Sequence, residues 1–241
     1  MNTIKVNHGE TKMVAHRGVS GLERENTCAA FVAAGSRSYF GIETDVHRTG
    51  DGKYIIIHDD ATTRVTGREL VVEETDFATL RTLPLFDRET ELPRSDLSLP
   101  PLEDYLSICK KYEKIAVLEL KKAMDRETVL GIAGAVAQSG WMEHTIFISF
   151  EWDNLMFLRE GYPDQNAQYL VSRIEDPQAL AAQLKEHRLD LDAKHIVVTK
   201  EIVSLMHENG IQVNVWTVDD PARARELVDM GVDYITSNIL E

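Results

Sequence analysis

The chain has 241 residues, 43% of them hydrophobic, so it is long enough to bury one sizeable core. Its formal net charge of −14 argues against nucleic acid or an anionic membrane surface as the main partner. The acidity does not exclude an anionic substrate, because a bound cation and a few basic residues can reverse the local charge.

Nine short apolar runs, rich in β-branched residues, predict strands along the chain. They lie at about 13–16, 41–46, 54–58, 115–120, 145–149, 167–171, 195–198, 212–217 and 233–236. Signals for helices lie between most of these runs. Asp-Pro pairs at 176 and 220 are N-cap signals that begin two predicted helices, and Thr199 is the N-cap signal of a third. This alternation predicts a parallel α/β fold.

Nine strands are one too many for an eightfold barrel. The link after 41–46 is too short for a parallel crossover and contains the turn signal Gly50-Asp51-Gly52. We therefore predict that 54–58 is the return arm of a hairpin, which brings His58 to about the height of Glu43. Eight parallel strands remain, and they predict a variant of the TIM (β/α)8 barrel.

The segment 59–99 contains two prolines and many charges, and we predict at most a short helix near 76–82. A stretch this long between barrel elements usually has a role, so we expect a small insertion over the C-terminal mouth of the barrel. We expect residues 1–241 to form a single domain.

The two cysteines, Cys28 and Cys109, lie far apart in predicted helices, and we expect reduced thiols. The sequence shows no apolar run of signal-peptide or transmembrane length, so we expect a cytoplasmic protein without stable membrane insertion. The sequence leaves the oligomeric state open.

Three carboxylates are candidates for a metal site. Glu43 and Asp45 are two positions apart on one predicted strand, so both side chains point to the same face. Two carboxylates at close range repel each other unless a cation lies between them. With Glu119 from another strand they form an oxygen-only set that suits Mg²⁺ or Ca²⁺ rather than zinc. Separate ion pairs with nearby basic residues explain the spacing equally well.

Of the eight histidines, only His16 and His58 end a strand-like apolar run and precede a charged residue. Two imidazoles beside a substrate can act as general base and general acid near neutral pH. Each one alone is more often a hydrogen-bonded structural residue. His47 shares the face of the two carboxylates on the same strand, which would allow it to line the site, but a solvated flank of the hairpin turn is the favoured interpretation.

Arg17 and Lys121 add positive charge beside the carboxylates. Together with a metal they would suit a phosphoryl group, whose negative charge grows during displacement. Without a phosphate they are counter-ions. Two aromatic residues at later strand ends, Phe150 and Trp216, are weaker candidates for the pocket wall.

Short motifs in a fixed order resemble the glycerophosphodiester phosphodiesterase family over roughly residues 12–240. They are His16-Arg17-Gly18, Glu25-Asn26-Thr27, Glu43-x-Asp45-Val46, Asp51-Gly52, His58-Asp59, Glu119-x-Lys121 and Trp216-Thr217. Each motif is weak alone, whereas the ordered set is highly specific.

This resemblance implies a TIM barrel of the phospholipase-C-like phosphodiesterase type, with 59–99 as its small capping segment. It implies a divalent cation, Mg²⁺ or Ca²⁺, at the positions Glu43, Asp45 and Glu119. It also implies that His16 and His58 form an acid–base pair. Arg17 and Lys121 would be the two basic residues that contact the phosphate.

The leading hypothesis is metal-dependent hydrolysis of small glycerophosphodiesters to sn-glycerol 3-phosphate and an alcohol. A lysophospholipase-D-like activity would require an apolar insertion, whereas 59–99 is rich in charge. A non-catalytic binding protein has no chemical reason to keep both histidines and all three carboxylates. A metal-dependent sugar isomerase would leave the His-Arg and His-Asp pairs unexplained.

Overall fold

The computed structural model describes residues 2–241, in which strands alternate with helices. The strands are β1 (Lys12–Ala15), β2 (Gly41–Arg48), β3 (Tyr54–Ile56), β4 (Leu85–Phe86), β5 (Pro93–Arg94), β6 (Ile115–Leu120), β7 (Thr145–Ser149), β8 (Ala167–Val171), β9 (Asp190–Lys194), β10 (Val213–Trp216) and β11 (Tyr234–Ser237). The α-helices are α1 (Cys28–Gly35), α2 (Thr63–Thr66), α3 (Phe77–Arg81), α4 (Leu102–Lys111), α5 (Arg126–Gln138), α6 (Trp152–Gly161), α7 (Pro177–Glu186), α8 (Lys200–Glu208) and α9 (Pro221–Met230).

Eight parallel strands close into a barrel. The hydrogen-bonded order is β1-β11-β10-β9-β8-β7-β6-β2, and β1 also pairs in parallel with β2, which closes the ring. Helices connect most of these strands on the outside. The structure therefore confirms the TIM barrel.

Alternation along each strand decides which side chains enter the barrel. In β6, Ala116, Leu118 and Leu120 pack in the core cluster with the helices, whereas Val117 belongs to the cluster inside the barrel. Glu119 is two positions after Val117, so it points inward as well. The same alternation holds in β2, where the outward-facing residues pack in the core cluster with the helices. Its two carboxylates, Glu43 and Asp45, occupy the alternate positions and therefore point into the barrel.

The hairpin is also confirmed. β3 runs antiparallel to β2, with Val46 opposite Ile56, and the Ile57 amide donates to the Asp45 carbonyl just beyond the strand. The return arm thus comes back along β2 and delivers His58 to the barrel mouth, as the turn signal predicted.

The capping signals place three helices correctly. The Asp176 and Asp220 side chains accept hydrogen bonds from the first turns of α7 and α9, and the Thr199 side chain accepts one from the first turn of α8. Cys109 is buried in α4 and Cys28 is half-buried in α1, and both thiols are free. No helix in residues 2–241 has the length and apolar character needed to cross a membrane.

One predicted strand is wrong. Residues 195–198 do not form a strand, because His195–Val197 is a short 3₁₀ turn in which Ile196 is 64% exposed. The strand is β9, where Leu191 and Ala193 are buried at alternate positions. The charged residues at its other positions, Asp190, Asp192 and Lys194, hide the strand in a hydrophobicity pattern.

The segment 59–99 is more structured than predicted. The short helix appears as α3, but α2, a 3₁₀ turn at Val72–Glu74 and the β4–β5 hairpin accompany it. The segment buries a small core of its own with residues of the return arm. Arg24, in the loop after β1, donates to the Phe86 and Asp87 carbonyls, so the insertion packs beside the barrel mouth.

Candidate active site

A pocket opens at the C-terminal ends of the barrel strands. One side of it is polar, and the other is apolar. The polar side is formed by six of the seven predicted polar residues, which are His16, Arg17, Glu43, His58, Glu119 and Lys121. Asp45 lies behind this wall, completely buried and within hydrogen-bonding or ion-pair distance of several of them.

The three predicted metal ligands lie together. Glu43, Asp45 and Glu119 each offer one oxygen, and these oxygens all lie within 4.8 Å of one another. The backbone register places Asp45 opposite Glu119 on neighbouring strands. All three side chains are buried, and Asp45 Oδ1 accepts no hydrogen bond.

The charges of this cluster are poorly compensated. Burial and the charge of Asp45 raise the pKa of Glu43 well above its ordinary value, and the same two causes raise the pKa of Glu119 to about 7. Burial also opposes ionisation of Asp45, but Arg17 and Lys121 outweigh it and hold the Asp45 pKa well below its usual range. A hard divalent cation fits this donor set, since it would neutralise the carboxylates and give Asp45 Oδ1 a partner.

Two basic side chains border the cluster. The Arg17 amide donates to Glu43 Oε2 at 2.7 Å, and its guanidinium Nε lies 3.4 Å from Asp45 Oδ2. On the other side, Lys121 Nζ donates to Glu119 Oε1 at 2.8 Å and lies 3.5 Å from Asp45 Oδ1. The positively charged side chains of Arg17 and Lys121 therefore face the pocket beside the carboxylates.

His16 is held by an amide. Its Nδ1 lies 2.7 Å from Asn238 Oδ1, and the Asn238 amide nitrogen in turn donates to Asp219. Because an amide oxygen only accepts, Nδ1 carries the proton, and the pocket-facing Nε2 of the neutral ring is free to accept one. Burial, followed by the charge of Arg17, lowers the pKa of His16 to about 4, so the ring is neutral at physiological pH.

His58 is held by a carboxylate instead. Its Nδ1 lies 2.7 Å from Asp59 Oδ1, and the side chain is 33% exposed at the pocket. The two histidines thus differ in their environments, since one is bonded to a neutral amide and the other to an anion.

The apolar side of the pocket includes both predicted aromatics. Phe150 and Trp216 contact each other edge to face, with ring centroids 5.5 Å apart. Ile148 and Leu170 continue this wall toward the barrel interior.

Sequence reasoning missed Asp192, which also lines the pocket. It lies on β9 among apolar residues, it is 2% exposed, and its Oδ1 has no hydrogen-bond partner among the described residues. Burial and the charge of Glu119 raise its pKa well above the ordinary value. The only available signal was an aspartate inside a strand-like stretch, and the wrong placement of that strand hid it.

The prediction for His47 is wrong. The side chain is fully buried rather than solvated, and its Nε2 lies 3.4 Å from the His58 carbonyl oxygen. Burial lowers its pKa, so a neutral ring packs beneath the end of the hairpin arm.

Comparison with known proteins identifies the family. The model of the glycerophosphoryl diester phosphodiesterase family matches residues 16–240. The chain belongs to this family. It is an enzyme of the phosphoric diester hydrolase class, which sets aside the non-catalytic alternative.

Relatives and solved structures agree with this placement. A glycerophosphodiester phosphodiesterase of Bacillus altitudinis is 28% identical over 236 residues, which cover 93% of each chain. A phosphodiesterase of Oleispira antarctica, solved in complex with the product sn-glycerol-3-phosphate, superposes with a TM-score of 0.86 at 27% identity, over 95% of this chain and 93% of that one. A glycerophosphodiester phosphodiesterase of Parabacteroides distasonis gives a TM-score of 0.76 at 27% identity, over 99% and 94%.

Proposed function

We propose that the protein hydrolyses small glycerophosphodiesters to sn-glycerol 3-phosphate and an alcohol, with a divalent cation and two histidines. One observation carries the proposal: three buried carboxylates, two basic side chains and two imidazoles lie together at a single pocket in the barrel mouth. The similarity to an enzyme solved with sn-glycerol-3-phosphate supports this choice of product.

The charges of the site support a cation. When all three carboxylates are ionised, they outnumber Arg17 and Lys121, and the excess of negative charge would repel a phosphodiester anion. Mg²⁺ or Ca²⁺ held by Glu43, Asp45 and Glu119 would reverse that sign and supply positive charge to the phosphoryl group. Arg17 and Lys121 would then contact the nonbridging oxygens, where negative charge grows as the bond to the leaving alcohol breaks.

The two histidine environments support different roles in proton transfer. His16 is neutral at physiological pH, and its free Nε2 suits it to take a proton from the attacking water molecule. Asp59 accepts a hydrogen bond from His58 Nδ1 and orients the ring, so we assign to His58 the protonation of the leaving alkoxide. In each turnover His16 gains a proton and His58 loses one. Both histidines then return to their starting protonation states by proton exchange with water.

The apolar side of the pocket supports a substrate with unesterified hydroxyl groups. Burial raises the pKa of Asp192 well above its ordinary value and so favours the protonated carboxyl, which can both donate and accept a hydrogen bond. An unpaired polar group in an apolar wall is costly, and a glycerol hydroxyl would provide its missing partner. The anionic phosphate would lie toward Arg17 and Lys121, away from this carboxyl.

A substrate panel tests the proposal. Purified protein is incubated with glycerophosphocholine, glycerophosphoethanolamine, glycerophosphoglycerol and lysophosphatidylcholine. Mass spectrometry follows the formation of sn-glycerol 3-phosphate from the three soluble diesters and of lysophosphatidic acid from the lysophospholipid. We expect turnover of all three soluble diesters, because in the proposed binding mode the alcohol beyond the phosphate projects toward the insertion and contributes little. Faster turnover of the lysophospholipid than of every soluble diester would favour lysophospholipase D activity and overturn the proposal.

A further inference from the structure

Arg64 connects two parts of the candidate site, although its side chain does not line the pocket wall described above. It lies in α2, within the insertion 59–99. Its Nε and Nη2 donate to Asp59 at 2.7 and 3.1 Å, and its Nη1 and Nη2 donate to Glu25 at 2.8 Å each. One guanidinium therefore bridges two carboxylates with four hydrogen bonds.

Each of those carboxylates holds a different residue of the pocket. Asp59 accepts from His58 Nδ1 at 2.7 Å, and Glu25 accepts from Arg17 Nη1 at 2.9 Å. The result is one continuous chain of charged hydrogen bonds, which runs from the histidine through Asp59, Arg64 and Glu25 to the phosphate-facing arginine. Glu25 belongs to a sequence motif that the proposed chemistry leaves without a role, and Asp59 enters that chemistry only as the partner of His58.

The geometry favours orientation over stability as the function of this chain. The Arg64 side chain is 44% exposed, and ion pairs at such positions contribute little to the free energy of folding. Paired fork-shaped contacts do fix the direction of both partners, because a planar guanidinium matches a carboxylate in only a few orientations. The backbone of α2 is anchored, since Val65 is buried in the small core of the insertion.

We propose that Arg64 is a positioning residue, which holds His58 and Arg17 at a fixed separation across the pocket and makes the insertion a working part of the site. This inference rests on the roles proposed above for His58 and Arg17. Without Arg64, two neighbouring carboxylates would repel each other, and both side chains they orient would gain rotational freedom.

Three variants test the proposal: Arg64→Ala, Arg64→Lys and the control Arg94→Ala. Arg94 lies on the same insertion and also pairs with carboxylates, but those carboxylates hold no pocket residue. We expect Arg64→Ala to lower kcat by about 10- to 100-fold with a smaller change in KM, as for other residues that orient a catalytic group. Arg64→Lys should recover only part of kcat, because an ammonium cannot form both forks, and Arg94→Ala should keep wild-type kcat.

Chemical rescue separates positioning from a general structural role. The site of Arg64 is open to solvent, so millimolar guanidinium chloride should restore part of kcat to Arg64→Ala and should leave the wild type unchanged. An equal concentration of sodium chloride controls for ionic strength. A kcat within about twofold of wild type, or a loss that guanidinium does not rescue in a variant with unchanged thermal stability, would overturn the inference.

The same variants are assayed on glycerophosphocholine and on bis-p-nitrophenyl phosphate. If wild type cleaves only the second compound, the proposed substrate is wrong, and the Arg64 series still reports on positioning. If wild type cleaves both and Arg64→Ala matches it on both, only the positioning inference is wrong.

Discussion

Glu119→Gln should stabilise the cation-free protein at alkaline pH while it abolishes catalysis. Burial and the charge of Asp45 raise the pKa of Glu119 from 4.5 to about 7, in spite of the hydrogen bond from Lys121. Glutamine keeps an oxygen that can accept from Lys121 Nζ and carries no charge. The variant therefore removes a buried repulsion and keeps most of the packing.

The sign and size of the effect follow from linkage. Because the folded-state pKa of Glu119 lies above its unfolded value, its contribution to stability is fully present below about pH 4.5 and is lost as the pH rises through about 7. At ~1.4 kcal/mol per pKa unit, the loss above that range is roughly 3 kcal/mol. In a domain of this size that corresponds to a Tm difference of roughly 6–12 °C.

Thermal unfolding followed by circular dichroism is the assay, after chelation, at about pH 5 and about pH 8. We expect the Tm of Glu119→Gln to exceed that of wild type only slightly at the lower pH and by nearly the full difference at the higher pH. Added Mg²⁺ or Ca²⁺ should raise the Tm of wild type more than that of the variant. Glu226→Gln, at an exposed position, is the matched control. A variant that is equally or less stable than wild type at the higher pH would refute this reasoning.

Three further predictions concern activity. Glu43→Ala and Asp45→Ala should each abolish hydrolysis while the protein stays folded. Exhaustive chelation should also abolish hydrolysis until Mg²⁺ or Ca²⁺ is added back, and full activity in chelator would contradict the need for a cation. His16→Ala and His58→Ala should each lower kcat by roughly two to four orders of magnitude, and the acidic limb of the wild-type pH–rate profile, near pH 4, should disappear in His16→Ala. A near-normal kcat would assign that histidine a structural role. Asp192→Leu should raise KM for glycerophosphocholine more than Asp192→Asn does, and equal KM values would remove the residue from substrate recognition.

The central site was predictable because its residues follow the alternation of buried strands. Glu43, Asp45 and Glu119 interrupt apolar runs at inward positions, and a charge in such a run needs a nearby partner. The short turn before β3 was enough to bring His58 back to them. Local spacing together with strand direction thus determined which residues meet.

Long-range contacts and misleading patterns account for what the sequence did not predict. The 3₁₀ turn at 195–197 is more apolar than the strand before it, so the strand was misplaced and Asp192 was missed. Arg64 comes from a charged segment without periodicity, and only the folded insertion brings it to Glu25. His47 resembled a turn residue because its burial depends on the packing of the hairpin arm above it.

In the proposed reaction, cleavage depends on the cation and leaves the phosphate on glycerol. Phosphorus NMR of glycerophosphocholine during incubation with the protein tests it most directly, in chelator and then after addition of Mg²⁺ or Ca²⁺. We predict no change in chelator and, after the cation is added, replacement of the diester signal by that of sn-glycerol 3-phosphate. Appearance of phosphocholine, or equal turnover in chelator, would contradict the account.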